Sequence, residues 1–336
     1  MKQQPVISVV VCTYNQQDTI GRTLDSILMQ QCHVPFEIVI GEDCSTDDTL
    51  AVCQSYADRN PDTIRLLANK QNKGVVNNYF DCVEAARGEY IADCAGDDFW
   101  TDALKLEKEV TLLKQHPEVT LVHTNWTYYN ETTHTTMPSG EKPFTDPFTR
   151  GLKMAEDIII QSGAPVIHLC TALYRRRVLM AALKDDVQMF RNPEYGCEDV
   201  QVTLIMALQG VIAYLPDVTL SYSIGHESVT TSVDHHKLFR FYRRVTSLSY
   251  YLSEKYRIRS VRTDEFFRQR LFELAMHAFR AHDKGLLKEV LDCEQAWHVE
   301  RTTHLQLLFN IMHQPLLWTM ALGVRKAVVT LKRVSR

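Results

Sequence analysis

The chain has 336 residues, enough for one large domain or two ordinary ones. A hydrophobic fraction of 45% and a charged fraction of 23% indicate a soluble globular protein, and a net charge of −4 argues against nucleic acid as a partner. The nine cysteines are scattered and form no Cys-x-x-Cys pair, which fits reduced thiols in a cytoplasm better than a disulfide framework or a zinc cluster.

The first half of the chain alternates strand-like and helix-like patterns. The N-terminal sequence MKQQPVISVVVCTYN is interpreted as leading into a buried strand rather than as a signal peptide, and no apolar run reaches the roughly eighteen residues of a membrane-spanning helix. Ser45 and Asp48 have the spacing of a capping box, which predicts that a helix begins there. In a later predicted helix, Lys105 and Lys108 are interpreted as part of an exposed face. Buried strands are predicted at residues 6–13, 36–43, 63–69, 89–93 and 119–126.

This alternation predicts an α/β fold with a doubly wound, mostly parallel sheet, in which ligands bind beyond the carboxyl ends of the strands. Residues 130–150 are rich in Thr, Pro and Gly and are predicted to form a long loop, either a lid or a tolerated insertion. From about Val233 the apolar spacing becomes helical. We therefore predict one domain over residues 1–230 and a helical C-terminal extension over residues 231–336.

Polar residues collect where the predicted strands end. Loops need polar side chains in any case, but four convergent ends that carry acids or amides favour a binding site. These residues are Thr13, Tyr14 and Asn15 after the first strand, Glu42 and Asp43 after the second, Asn72 and Gly74 after the third, and Asp97 and Asp98 after the fourth.

The residues after the first strand argue against two common phosphate-binding domains. A nicotinamide-binding domain needs Gly-x-Gly-x-x-Gly there, whereas the segment CTYNQQDTIG has no glycine before Gly21, and a P-loop is also absent. A sheet edge that presents carboxylates suits a nucleoside diphosphate, because phosphate oxygens bind Mg²⁺ or Mn²⁺ jointly with one or two protein carboxylates. We therefore expect Asp97 to hold a metal ion that neutralises a departing diphosphate.

Five blocks of the sequence, in order, resemble the family 2 glycosyltransferases with the GT-A fold. The resemblance covers about residues 6–230. It implies transfer of a sugar from a nucleotide-diphosphate donor, usually with inversion and with a divalent metal ion. The blocks are VVVCTYNQQDTIGRTLDSIL, EIVIGEDCSTDDT, NKGVVNN, ARGEYIADCAGDDFWTDALKLEKEV and CEDVQVTLIMALQGVIAYLPDVTLSYSIGHE.

The first two blocks are implied to bind the nucleotide. By this resemblance, Thr13, Tyr14 and Asn15 line the base. Asp43 matches the second acid of the family's Asp-Asp-x-Ser-x-Asp run and binds the uracil or ribose side. Glu42 conservatively replaces the first acid of that run.

The remaining matches near the nucleotide have alternative roles. Asn72 and Gly74 match a block close to the nucleoside, and a turn is the alternative role for Gly74. Ser45 and Asp47 complete the acidic run, but we interpret them as caps of the following helix rather than as site residues.

The fourth block carries the metal motif. Asp97 matches its last acid, and Asp98 matches the following acid, which in the family faces the donor sugar or supports the loop. Ala95 stands where members with the GDDFWTD variant carry another acid, which puts the affinity for Mn²⁺ or Mg²⁺ in question, and Asp93 is a candidate substitute. The alanine also supports an alternative function, that of a nucleotide-sugar-binding protein with weak or lost catalysis.

The fifth block supplies the candidate base. An inverting transfer needs a carboxylate to take the proton of the acceptor hydroxyl as it attacks. The resemblance gives that role to Asp199, with Glu198 in contact with donor or acceptor, although acids at a helix start are also stabilised by the helix dipole. His226 matches a histidine near the diphosphate or metal, and its alternative role is an ordinary surface or packing residue.

The C-terminal segment PLLWTMALGVRKAVVTLKRVSR is predicted to form a basic amphipathic helix. Its five Arg and Lys residues with no acid among them favour an anionic lipid surface, and packing on the catalytic domain or on a partner subunit is the alternative. With lipid as the partner, the expected acceptor is a glycan or polyprenyl-linked glycan of bacterial surface polysaccharide. The expected location is the cytoplasm or the inner face of the cytoplasmic membrane.

Overall fold

The computed structural model describes residues 4–140, 146–161, 167–225 and 233–323. The chain divides into two compact units, Met1–His226 and Glu227–Arg336. In the described part of the first unit, helices pack on one mixed sheet. Its strands are β1 (Ile7–Thr13), β2 (Phe36–Glu42), β3 (Ile64–Ala68), β4 (Tyr90–Asp93), β5 (Phe99–Trp100), β6 (Val119–Asn130), β7 (Thr135–Pro138), β8 (Phe148–Arg150), β9 (Ala172–Arg175) and β10 (Val211–Ile224). Its helices are α1 (Ile20–Leu28), α2 (Thr49–Arg59), α3 (Val75–Ala85), α4 (Lys105–Gln115), α5 (Ala155–Ile159), α6 (Arg176–Asp185), α7 (Val187–Arg191) and α8 (Asp199–Gln209).

The sheet is mostly parallel, which confirms the predicted fold class. The strand order is β3-β2-β1-β4-β9-β6-β10-β5, with β7 paired to β6 and β8 paired to β10. Strands β1 to β4 pair in parallel, and so do β6 and β10. Strand β9 is antiparallel to both of its neighbours, β4 and β6.

The reversed direction of β9 brings the residues in front of it to the carboxyl edge of the parallel strands. Leu173 of β9 pairs with Ala92 of β4. The short 3-10 turn Leu169–Thr171, which precedes β9, therefore lies near the end of β4. Cys170 in this turn accepts a hydrogen bond from the backbone N–H of Ala95 at 3.3 Å, just beyond that strand end.

Apolar side chains hold α1 against the sheet. Ile20, Leu24 and Ile27 recur at helical spacing and are fully buried in a core shared with β1, β2 and β4. Each buried side chain of this size contributes about 1.5–3 kcal/mol. The polar side of α1 is thereby fixed toward the loop that follows β4, with which it forms hydrogen bonds.

The described part of the second unit is helical, which confirms the predicted helical extension. It contains α9 (His235–Lys255), α10 (Val261–Ala281), α11 (Lys284–Ala296) and α12 (Thr303–Met312), followed by helical residues 315–323. Trp318 is fully buried and donates its indole N–H to the carbonyl of Phe279 at 2.9 Å. None of the helices that the structure describes has the length and apolarity needed to span a bilayer. The four named helices are capped by the side chains of Asp234, Ser260, Asp283 and Thr302.

Residues 130–150 do not form one long loop, so that prediction is wrong. Strand β6 runs to Asn130, and β7 returns along it through four antiparallel pairs from Thr135 to Pro138. Strand β8 pairs with β10. The β-branched threonines that made the segment look loop-like have a high strand propensity, and pairing with a long neighbouring strand decides their conformation.

The prediction that Lys105 and Lys108 share an exposed helix face is wrong for Lys105. The Lys105 side chain is fully buried and its Nζ lies 2.7 Å from Glu109 Oε2, which is fully buried as well. Lys108 remains 34% exposed and pairs with Asp102 and Asp217, each at 2.6 Å. Residues four apart lie on the same side of a helix, so Lys105 and Glu109 are buried together on one side of α4 and neutralise each other's charge.

Candidate functional site

The carboxyl ends of β1, β2 and β4 meet at one edge of the sheet. Thr13 at the end of β1 pairs with Glu42 at the end of β2. Beyond the strands, the N–H of Asp43 donates to the Thr13 carbonyl at 3.1 Å, and the N–H of Gly96 donates to the Cys12 carbonyl at 3.1 Å. The structure therefore brings together the polar residues that follow these strands.

The loop after β1 is joined to the loop after β2. Asn15 has a left-handed φ of 53°, its N–H donates to Ser45 Oγ at 3.0 Å, and its Oδ1 accepts from the Thr46 N–H at 2.8 Å. Ser45 thus links the two loops and does not cap α2, which begins at Thr49, so that prediction is wrong for Ser45. Asp47 accepts a hydrogen bond from the Thr49 N–H at 3.0 Å.

The nucleotide candidates at these two strand ends differ in exposure. Tyr14 is 45% exposed, whereas Thr13 and Glu42 are buried. Thr13 donates its hydroxyl to Gln16 Oε1 at 2.8 Å, and Glu42 Oε1 accepts from the Ser45 N–H at 2.7 Å. Tyr14 is therefore placed to touch a ligand, while the other two side chains support the edge from inside.

Asp43 organises the loop that leads into α3. One carboxylate oxygen accepts from Asn69 Nδ2 at 3.0 Å and from the Lys73 N–H at 2.9 Å, and the other accepts from the Gly74 N–H at 2.9 Å. Gly74 has a φ of 79°, which a residue with a side chain rarely adopts. Asn72 Oδ1 accepts from the same Gly74 N–H at 3.0 Å. The Asp43 carboxylate therefore fixes the loop around Gly74, which is predicted to lie near the nucleoside, by binding backbone N–H groups of that loop.

The loop after β4 is held from α1 and β10. Arg22 Nη2 donates to the carbonyl of Asp97 at 3.1 Å, and Ser223 Oγ donates to the same carbonyl at 2.6 Å. Thr19 donates its hydroxyl to the carbonyl of Gly96 at 2.9 Å. These bonds fix the backbone of the loop and leave the Asp97 side chain partly exposed at the sheet edge.

The side chain of Asp98 lies in the protein interior. It is 1% exposed, and its Oδ1 accepts from the Ser223 N–H at 2.9 Å. Burial, followed by the charge of Asp97, raises the pKa of this carboxyl well above its usual range. This placement fits support of the loop better than contact with the donor sugar, the two roles that the family allows.

Asp93, the candidate substitute for the acid missing at Ala95, lies inside the protein. It is 4% exposed and sits on β4 opposite Val10. Burial raises the pKa of its carboxyl to about 7, an effect partly offset by the Tyr174 and Tyr79 hydroxyls. Asp93 therefore does not share the partly exposed edge with Asp97.

The Glu-Asp pair lies where α8 begins. Asp199 is the first residue of the helix and is exposed, and Glu198 is its N-cap residue. Burial, then the charge of Asp199 and that of Asp93, raise the pKa of Glu198 to about 8, so this carboxyl keeps its proton at neutral pH. Helix α8 packs against β6, where the Thr120 hydroxyl donates to the carbonyl of Met206 at 2.7 Å. His226 lies outside the described residues.

Sequence reasoning missed the residues that hold the loop, Arg22 above all. The guanidinium also pairs with Glu131 at 2.5 Å and lies 4.3 Å from the centre of the Phe99 ring. Nothing in the local sequence signals this role, since the Asp97 and Ser223 partners lie 75 and 201 positions away. Only the helical spacing of α1 shows that Arg22 falls outside its apolar stripe.

Among the described residues, the partly exposed carboxylate of Asp97 is the one that the loop after β4 offers to a divalent cation. The structure describes no set of three His, Cys or acidic side chains around it. A single hard oxygen donor fits Mg²⁺ or Mn²⁺ when the ion takes its other ligands from phosphate oxygens and water. The residues present therefore fit a metal ion that arrives with a nucleoside diphosphate.

Known proteins match this chain in both sequence and fold. The sequence model of the family described as "Glycosyl transferase family 2" matches residues 8–183 of this chain. EpsE of Bacillus subtilis is 34% identical over 131 residues, 39% of this chain and 46% of EpsE. TuaG of the same organism, named for teichuronic acid biosynthesis, is 33% identical over 112 residues, 33% of this chain and 43% of TuaG.

The crystal structure of Staphylococcus aureus TarS 1–349 has the same fold. The TM-score is 0.50 at 20% identity, over 82% of this chain and 82% of TarS 1–349. The aligned parts of this chain span between 33% and 46% of the length of its first curated relatives. Because the family match covers more than half of the sequence, the chain belongs to glycosyl transferase family 2.

Proposed function

We propose that this protein transfers a sugar from a nucleotide-diphosphate donor, with inversion, to a glycan or lipid-linked glycan in bacterial surface-polysaccharide synthesis. The proposal rests on one observation: Asp97, Tyr14 and the loop that Asp43 holds through hydrogen bonds all lie at the same edge of the sheet. The exposed Asp199 begins α8, a helix that packs on β6 and β10 of the same sheet. The family membership supports the same reaction class.

We assign the nucleoside to the edge formed by the loops after β1, β2 and β3. The exposed Tyr14 ring would pack on the base, and the backbone ordered by Asp43 around Gly74 would line the ribose side. Structures of TarS in complex with UDP-GlcNAc and with UDP support a uridine diphosphate sugar as the donor.

The transfer needs a base on the acceptor side and charge neutralisation on the diphosphate side. Asp199 would accept the proton of the acceptor hydroxyl as it attacks the anomeric carbon. Glu198, protonated at neutral pH, would remain a hydrogen-bond donor beside it and would not compete for that proton. Asp97, with its backbone fixed by Arg22, would hold Mg²⁺ or Mn²⁺, which supplies Lewis-acid stabilisation of the leaving diphosphate.

Donor binding is tested by the melting temperature of the full chain with UDP, GDP or dTDP, each with and without Mn²⁺. A ligand that binds only the folded state raises the melting temperature, and the rise grows with the logarithm of the ligand concentration divided by its dissociation constant. We expect UDP to do so only with Mn²⁺, and Asp97→Asn to remove the rise. Asp58→Asn, an exposed acid on α2, is the matched control and should retain it. An unchanged rise in Asp97→Asn would reject Asp97 as the metal ligand.

Catalysis is tested by sugar transfer and donor hydrolysis with Asp199→Asn. Loss of a general base costs about 10²- to 10⁴-fold in rate, so we expect that loss with the UDP-dependent melting shift retained. Equal rates in both proteins would exclude Asp199 as the base. A parent chain that binds UDP without transferring sugar would favour the alternative that Ala95 supports, a nucleotide-sugar-binding protein.

We propose that the acceptor lies at the inner face of the cytoplasmic membrane. Leu316, Leu317 and Met320 in the last described helix are exposed, and they precede the basic segment after residue 323. Apolar side chains beside cationic ones suit an anionic lipid surface. The basic residues themselves lie outside the described part of the chain. The name of TuaG, which refers to teichuronic acid biosynthesis, supports a cell-surface polymer as the product.

A further inference from the structure

Behind the loop that carries Asp97, three side chains of different chemistry face one another. The Asp98 carboxylate, the His168 imidazole and the Cys170 thiol have ligand atoms that all lie within 4.8 Å of one another. Asp98 comes from the loop after β4, and the other two come from the segment that the reversed strand β9 brings to this edge. We propose that they form a zinc site, separate from the donor-side metal ion at Asp97.

The Asp98 carboxyl and the His168 imidazole each have a buried polar atom without a hydrogen bond to a described N–H or O–H group, and the weakly polar Cys170 thiol is the group beside Asp98. Asp98 Oδ2 is buried, lies beside the Cys170 thiol and receives no hydrogen bond from a described N–H or O–H group. His168 Nδ1 is likewise buried without a partner among the described residues. Buried polar atoms normally have partners, and a cation at the centre of the three groups would satisfy both atoms together.

Each ligand is already oriented by its surroundings. Asp98 is fixed through its other oxygen by the Ser223 N–H at 2.9 Å. Cys170 is held through its carbonyl by the Trp100 indole N–H at 3.1 Å. The His168 ring packs on Tyr222 with a centroid distance of 4.7 Å. Side chains that are positioned by neighbours in this way are typical of metal ligands, because little ordering remains to be done on binding.

The chemistry of the three groups favours zinc over the hard cations of the donor side. A thiolate, an imidazole and a carboxylate are the ligands that Zn²⁺ takes in proteins, whereas Mg²⁺ and Mn²⁺ prefer oxygen. A thiolate and a carboxylate together balance the charge of the ion. Ligand atoms around tetrahedral zinc lie roughly 3.5 Å apart, so a contraction of about an ångström closes the site and leaves the fourth position for water.

A second group of similar composition is a weaker candidate. Cys32, His33 and Glu107 also lie close together, but on the surface. His33 Nδ1 already pairs with Glu107 Oε2 at 2.6 Å, and Lys114 Nζ lies 3.2 Å from His33 Nε2. His33 and Glu107 therefore already satisfy each other at the surface, and this group does not need a metal ion.

Cobalt replaces zinc in such sites and reports thiolate ligation by a charge-transfer absorption in the near ultraviolet. We would strip the full chain with a chelator under reducing conditions and titrate it with Co²⁺. We expect this absorption to saturate at about one ion per chain and to disappear when Zn²⁺ is added. Cys170→Ser should abolish it, and His168→Gln should weaken Co²⁺ binding at least about tenfold.

Three further variants serve as controls. Cys94→Ser removes a buried thiol beside the same loop, and Cys32→Ser removes the surface thiol. Asp97→Asn removes the donor-side ligand and should keep the absorption while losing Mn²⁺-dependent UDP binding, so the two proposals fail separately. The zinc site is rejected if the unmutated chain shows no thiolate absorption, if Cys170→Ser retains it, or if Cys94→Ser or Cys32→Ser loses it. The first outcome is decisive even where a variant does not fold.

Discussion

Lys105 and Glu109 form an ion pair that is sealed from solvent on the buried side of α4. Both side chains have no exposed surface, and Lys105 Nζ also lies 4.7 Å from the centre of the Trp100 ring. Burial raises the pKa of Glu109 to about 7, even though the lysine opposes this shift. A buried pair adds little stability compared with apolar residues of the same size, but removal of one partner leaves a charge without compensation.

We predict that Lys105→Met lowers the free energy of unfolding by about 3–5 kcal/mol, because Glu109 is left unpaired. The double variant Lys105→Met/Glu109→Leu should recover most of that loss. Lys108→Met is the matched control, since its partly exposed ion pairs contribute no more than about 1 kcal/mol. Urea unfolding of the four proteins measures these differences. Equal losses in the two single lysine variants would contradict the prediction.

Individual site residues differ in how far the sequence alone could identify them. Asp97 and Asp199 stand in ordered motifs and could be proposed from those motifs. The inward orientation of Asp98 could not, because it depends on the backbone N–H of Ser223, 125 positions away. The role of Arg22 depends in the same way on remote partners. Short-range patterns cannot encode contacts of this kind.

Strand β4 carries an acid in its core-facing part. Asp93 is 4% exposed, and burial raises the pKa of its carboxyl from an ordinary value of 3.8 to about 7. Between these two values the folded protein keeps the proton while the unfolded chain releases it. The contribution of Asp93 to the free energy of unfolding therefore falls as the pH rises through this window, and it changes little above about pH 7.

We predict that Asp93→Asn removes the part of the pH dependence that Asp93 contributes. The difference in unfolding free energy between the variant and the parent should grow in favour of the variant from about pH 4 to about pH 7, as the parent loses stability. Chemical denaturation at a series of pH values measures it. Parallel stability curves for the two proteins would show that Asp93 does not titrate in this range.

Secondary structure could be predicted where an element carries its own signal. Strands β1 to β4 and β6 are rich in apolar and β-branched residues, and their positions follow from the sequence. Strand β9 has only four residues, too few to show a period, and its antiparallel insertion between β4 and β6 is decided by packing. The same limit applies to β7 and β8, which exist only because β6 and β10 offer pairing partners.

At the scale of the whole molecule, the described part of the C-terminal unit closes with a helix, residues 315–323, that has two different sides. Trp318 is fully buried in the core of that unit, and Ala321 packs against the same core. Leu316 and Met320 are 81% and 66% exposed. In the described part of the predicted amphipathic helix, Ala321 thus packs on the unit, whereas Leu316 and Met320 face outward.

We predict that the full chain binds vesicles containing anionic lipid and that a chain ending at Gly323 binds them much less. This truncation removes the basic segment and keeps Trp318, whose loss would damage the unit itself. Co-sedimentation with anionic and with neutral vesicles measures the difference, and added salt should weaken the binding. If both chains sediment equally, the lipid proposal is rejected, and association between subunits can then be examined by gel filtration.

Arg22 has a consequence for the order in which this protein matures. One guanidinium binds groups that lie 75, 109 and 201 positions further along the chain. Closing such long loops is entropically costly and slow compared with forming local helices. During synthesis, the loop after β4 that carries Asp97 therefore cannot reach its final form before Ser223 has left the ribosome. On refolding, the ability to bind a nucleotide should return after most of the helical signal has recovered.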